Sequence, residues 1–359
     1  NSLALNTTGS NNVAVGRNSL DANSSGQTNT AVGQGALGAN TTANNNTAVG
    51  NSALTANTEG GQNTAVGATA LDANTTAANN TAVGFSALGA NTTGPSNTAV
   101  GVCALPANTT GSGNVAIGCG SLLVHTTGAF TTALGFRAMC SNTTVSGNTG
   151  LGACALKKNT TGGGNTAVGY QSLQLNTTGA NNTAMGCDSL PTNTTGAGNV
   201  AIAHKALQLN TTGASNTAVG LCSLRANTTA TGNVAVGAST MLDNTTGAQN
   251  TAIGNEALAN NTTAANNVAI GSGAAYKNTT GANSVAIGVN SFKCNTTGSD
   301  NTAVGYQALC KNTTGYDNIA VGRGSLTGNT TGHSNVALGD YAMLVNTIWF
   351  SSWCWRWND

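Results

Sequence analysis

The chain has 359 residues and a formal net charge of +1, with charged residues at only 6% and aromatic residues at 4%. So weak a field excludes electrostatic gathering of nucleic acid or of an anionic membrane surface. So few ionisable groups also argue against an enzyme built on clustered acids and bases, and leave solubility to Asn, Thr and Ser.

In chain order, the N-terminus enters partway through a repeat, because Leu3 and Asn6 already hold the phases of Leu20 and Asn23. From Gly16 a glycine then returns every seventeen residues, at Gly33, Gly50, Gly67 and onward to Gly339, with Ala203 as the one substitute. Numbered from that glycine, a coil reads Asn(−4), Thr or Val(−3), Ala(−2), Val or Ile(−1), Gly(0), then Ala or Ser(+3), Leu(+4), and Asn(+7)-Thr(+8)-Thr(+9)-Gly(+10). The apolar residues come in two short bursts, Thr-Ala-Val and Ala-Leu, each expected as a short extended segment; they lack the 3.6-residue stripe of a helix, and the density of Gly, Asn and Thr disfavours helix further. Strictly kept apolar columns also argue against disorder. The pattern predicts an all-β fold: a single elongated parallel β-solenoid of about 21 rungs, roughly 100 Å long at the usual strand spacing.

Strand alternation places residues −3 and −1 on one face, assigned to the interior together with Leu(+4), as in Thr30, Val32 and Leu37. Ala(−2) is then expected to face the other way. Ala31, Ala48 and Ala65 belong to a column that tolerates nothing larger than a methyl group, which implies another backbone close by. That backbone is either the opposite wall of a thin coil or a second chain, so these alanines are candidate interface residues.

Asn-Val-Ala-Ile-Gly at 114–118 and Ser-Val-Ala-Ile-Gly at 284–288 resemble the head repeats of trimeric autotransporter adhesins. The resemblance covers nearly the whole chain at one pentapeptide per rung, although this rung is longer and carries an added Asn-Thr-Thr-Gly bend. It implies a left-handed parallel β-roll, a lateral trimer, and display outside the cell for attachment. Similar repeats also suit viral and other extracellular fibres.

The Asn(+7) column carries formal N-glycosylation acceptors at Asn6, Asn23, Asn40, Asn74, Asn91, Asn108, Asn142, Asn159, Asn176, Asn193, Asn210, Asn227, Asn244, Asn261, Asn278, Asn295, Asn312 and Asn329. Asn45, Asn79, Asn181 and Asn260 add further matches. Covalent N-linked glycans are therefore one of two readings of this column. The competing reading is a structural ladder of stacked Asn side chains. In its favour, Asn(−4) is kept without being an acceptor in most rungs, and Thr(+8), the free position of an acceptor, is held more tightly than the residue at +9.

Nine cysteines stand in irregular places with no CxxC motif. Phase brings Cys103 near Cys119 and Cys294 near Cys310 on adjacent rungs, with Cα separations of about 6 Å, within disulfide reach. His125, His204 and His333 are too many rungs apart to share a metal, and the acids are scattered singly, so neither a metal site nor a catalytic site is expected. Between His125 and Gly152 the repeat weakens while its spacing holds, and a local surface change is expected there.

The solenoid is expected over 1–347, and the aromatic tail at 348–359 as a cap or docking element, with Trp349, Trp353, Trp355 and Trp357 as candidate interface residues. No run approaches the roughly 18 apolar residues of a membrane-spanning helix. The function expected is a structural building block of an extracellular fibre, appendage or adhesin head at a cell or virion surface. Its partners would be copies of itself, in a lateral trimer or an end-to-end filament, or surface glycans. The alternative is an ice- or polysaccharide-binding solenoid using Thr ladders, which requires Thr(+8) or Thr(+9) to point outward.

Overall fold

The computed structural model describes residues 2–344 and the backbone of 353–355. It contains strands and turns but no helix among the described residues. The chain divides into two compact units, Asn1–Asn181 and Asn182–Asp359. Each is a parallel β-solenoid with one three-residue strand per coil: β1 (Val13–Val15) to β10 (Thr166–Val168) in the first, β11 (Thr183–Met185) to β20 (Val336–Leu338) in the second. Within each unit consecutive strands pair in parallel, every residue opposite the one seventeen places on, as in Val13 with Thr30 and Thr183 with Val200. The second unit adds β21 (Trp353–Trp355), whose Cys354 pairs with Ala337 in the same register. The backbone of the aromatic tail thus contributes one more strand to the sheet, while Trp349 and Trp357 lie outside the described residues.

The facing of the strands is the reverse of that expected. Ala31, Ala48 and Ala65 have no exposed surface within the single chain, whereas Thr30 and Val32 are half-exposed and Val49 and Val66 are 37% and 38% exposed. Ala(−2) therefore points into the coil and Thr(−3) and Val(−1) point out. The close backbone is the opposite wall of the same coil, so Ala31, Ala48 and Ala65 are core residues and not a subunit interface. The interior is filled by Ala(−2), the small residue at +3, Leu(+4) and the two Asn columns. So thin a coil has room for only one large side chain per turn, and Leu(+4) is that side chain.

Left-handed backbone makes the tight turns. The second extended segment expected at Ala(+3)-Leu(+4) is not a strand: Leu37 sits at φ +51°, and its column holds Leu, Met, Phe292 and Ala275 but never a β-branched residue, which that conformation disfavours. The Val or Ile that fills −1 instead lies in the strand, where β-branched side chains fit the pleat. Ser(+3) turns its polar atom to account, Ser19 Oγ donating to the Gly16 carbonyl at 2.9 Å.

The weakened stretch from 125 to 152 is a change in the core, not only at the surface. Met139 replaces Leu at +4, and a Cβ on Gly150 would lie 2.9 Å from Met139 Cε. The missing methyl at Gly150 is the space that the longer Met139 side chain occupies.

Candidate functional site

The Asn(+7) column is a buried hydrogen-bond ladder. Asn74 has no exposed surface; its Nδ2 donates to Asn57 Oδ1 at 2.8 Å and to the Ala77 carbonyl at 3.0 Å, and its Oδ1 accepts from Asn91 Nδ2 at 3.0 Å. Both amide hydrogens and the amide oxygen are therefore used inside the wall. The Asn(−4) column runs beside it: Asn46 N donates to Asn29 Oδ1 at 3.0 Å, and Asn46 Nδ2 donates to the Gly60 carbonyl, which also accepts from Asn57 Nδ2 at 2.9 Å. Two columns thus converge on one carbonyl per coil, which accounts for both being Asn. Thr(+8) adds a third ladder, Thr58 Oγ1 donating to the Thr75 carbonyl at 3.2 Å, and so is held more tightly than the exposed residue at +9.

This geometry corrects the expected glycan sites. Asn23, Asn40, Asn74, Asn91, Asn108, Asn142, Asn159, Asn176, Asn193, Asn210, Asn227, Asn244, Asn261, Asn278, Asn295, Asn312 and Asn329 are all buried. A sugar must replace one Nδ2 hydrogen and reach solvent, and both hydrogens of a ladder Asn point into the wall. The acceptors left exposed are Asn6, in the first coil, and Asn45, Asn79 and Asn181 on the outer surface.

His125 stands in this ladder where Asn is expected, and it breaks it. Its Nε2 faces the Gly128 carbonyl at 3.0 Å, which makes Nε2 the protonated donor, while Asn108 Oδ1, His125 Nδ1 and Asn142 Oδ1 are buried without a hydrogen bond. Burial pushes the His125 imidazole below its ordinary value, against the smaller opposing pull of the Gly128 carbonyl. A base whose pKa is lowered on folding stabilises the fold fully above its unfolded value of about 6.5 and progressively less as pH falls below it. His125→Asn is expected to stabilise the first unit by about 1–3 kcal/mol by restoring donor and acceptor. Thermal melts between pH 8 and pH 5 should show an acid-side loss in the parent that the variant lacks; parallel profiles would disprove the assignment.

The outer face of the sheet presents two columns, Thr or Val(−3) and Val, Ile, Leu or Met(−1). Leu134, Met185, Ile253 and Ile287 are 40%, 42%, 41% and 37% exposed, so in each unit the −1 column forms an apolar stripe. Thr42, Thr76 and Thr93 at +9 are exposed, the orientation that the Thr-ladder reading requires. Other outward side chains also stack coil on coil, as with the Arg323 and Asp340 ion pair at 2.9 Å and the Tyr316 and His333 rings 4.6 Å apart.

Cys103, Cys119, Cys294 and Cys310, the candidate cross-link pairs, are free thiols in the structure. Cys103 is half-buried at φ +49° and Cys119 is exposed. Cys294 N donates to the Cys310 carbonyl at 3.0 Å, and burial, then the neighbouring Cys294, pushes the Cys310 thiol up.

One cluster was missed by sequence reasoning. Cys187, Asp188 and His204 bring a thiol, a carboxylate and an imidazole within 4.8 Å of one another. The signal was present, since Cys187 and His204 hold the same phase one coil apart, but a search for histidine pairs and CxxC spacing does not see it.

No family model matches the sequence, and no curated protein matches it. No helix among the described residues is long and apolar enough to cross a membrane.

Proposed function

We propose that the chain is a structural building block of an extracellular fibre, appendage or adhesin head, acting through rigid length, self-assembly and surface display. The observation that carries this reading is the outward −1 column, an apolar stripe on a parallel sheet whose coils repeat at a fixed strand spacing of about 4.8 Å. A surface of that period is matched best by another with the same period, and a second copy of the chain supplies one. The low net charge opposes such association little. Val49→Lys combined with Ile253→Lys places a charge in the stripe of each unit without touching the core. Sedimentation of the parent should show oligomers or filaments and that of the double variant monomers with an unchanged melting temperature; a monomeric parent at tens of micromolar, an order-of-magnitude working concentration, would refute self-assembly.

A second reading, binding to ice or polysaccharide, is favoured by the exposed Thr(+9) column and by a shallow groove lined by Thr42, Asn44, Asn45, Glu59 and Gln62. Its hydroxyl and amide groups suit hydroxyl-rich ligands. Thermal hysteresis or retention on immobilised glucan would support it.

A further inference from the structure

We propose that Cys187, Asp188 and His204 form a binding site for one divalent zinc-like cation, with water completing its coordination. Sulfur, imidazole nitrogen and carboxylate oxygen together suit a borderline-soft ion better than the hard cations Mg²⁺ or Ca²⁺, which prefer oxygen throughout.

The coil geometry builds the site. Cys187 and His204 both occupy position +1, so the seventeen-residue repeat stacks them on adjacent coils of the second unit. Asp188 follows at φ +51°, a turn that brings its half-buried carboxylate to the same side. A tetrahedral ion with bonds of about 2.0–2.3 Å needs its ligands roughly 3.5 Å apart. The 4.8 Å that bounds the cluster is thus within reach of a rotamer change in the exposed Cys187.

The imidazole is already oriented. His204 Nδ1 lies 3.1 Å from the Cys187 carbonyl, and with the proton on Nδ1 the Nε2 lone pair is left for a metal. A backbone carbonyl holding the non-ligating N–H is how metal-binding histidines are commonly fixed. The residue before His204 adds a separate observation. Ala203 is the one non-glycine in the Gly(0) column and sits at φ +106°, a conformation that L residues rarely adopt. Such strain concentrates at functional positions. Lys205 holds the phase of Asp188 one coil on, which places a positive charge beside the cluster.

The test is titration of the reduced full-length chain with Zn²⁺ by calorimetry, and with Co²⁺ by absorption. The expected result is one tight equivalent and a thiolate-to-cobalt charge-transfer band, with Cys187→Ser and His204→Gln each weakening binding by more than about tenfold. Position +1 carries Arg17, Gln34, Asn51, Ala68 and Phe85 in other coils, so these variants are expected to fold, which circular dichroism checks. Cys119→Ser, at the same phase outside the cluster, should bind like the parent. Equal binding by all three variants would mean scattered thiol ligation and would overturn the site, as would a parent that binds no Zn²⁺.

Discussion

Asn74→Asp should destabilise the first unit by about 3–5 kcal/mol at neutral pH although it changes one atom type and no volume. The parent amide donates to Asn57 Oδ1 and to the Ala77 carbonyl. A carboxylate donates to neither. It faces two acceptor oxygens in a site with no exposed surface, and among the described contacts no cation offsets the charge. The melting temperature should fall by an amount on the order of 10 °C for a unit of this size. Because each coil touches mainly its neighbours, hydrogen exchange should rise first in the coils carrying Asn57 and Asn91. An unchanged melting temperature would show that the ladder contributes little.

The pH dependence separates lost hydrogen bonds from charge. An aspartate buried beside acceptors has its folded pKa raised above the unfolded value of about 3.9, so the penalty is fully present above the raised value. It shrinks as pH falls towards 3.9, because the protonated carboxyl regains one donor. Asn74→Asp should therefore approach the parent in acid, whereas Asn74→Ala should remain destabilised throughout. Asp is also the residue left when an N-linked glycan is removed enzymatically, and a chain carrying sugar at Asn74 could not close this coil.

Ala(+3)-Leu(+4) was expected as a second strand and is a turn, but the period, the Thr-Ala-Val strand and the parallel class of the fold were legible because a seventeen-residue repeat without insertions admits few architectures. The facing of the strand was not. Val at −1 is larger and more apolar than Ala at −2, and a rule that puts the larger apolar side chain inside gave the wrong face. Coil width decides the matter. Leu37 already fills the space between walls, so only Ala31 fits beside it, and Val32 is turned out. The Asn ladder could be weighed against glycan sites from the kept Asn(−4) and the tightly held Thr(+8), but burial was needed to choose. The Cys187, Asp188 and His204 cluster escaped because like residues were compared with like, although unlike residues at one phase stack equally well.

The glycine that marks the period is the other position where a single substitution should act strongly. Gly67 lies at φ +137°, and a Cβ there would stand 2.5 Å from the Gly84 carbonyl oxygen and 2.7 Å from its carbon. The obstructing atoms are backbone of the next coil and cannot rotate aside. Gly67→Val adds β-branching to a conformation that already disfavours any side chain, and should cost more than about 3 kcal/mol. The expected result is a large drop in melting temperature, with exchange opening in the coils on either side; a variant that melts with the parent would disprove it. Ala203 supplies the reverse experiment. Its φ of +106° lies outside the 119–141° spanned by the glycines of the column, so the backbone has shifted to admit the methyl group. Ala203→Gly should relieve that strain and stabilise the second unit by about 1 kcal/mol, less the entropy that glycine adds to the unfolded chain. Opposite signs at Gly67 and Ala203, measured by the same melts, would establish that coil-to-coil backbone contact, not side-chain packing, holds this column to glycine.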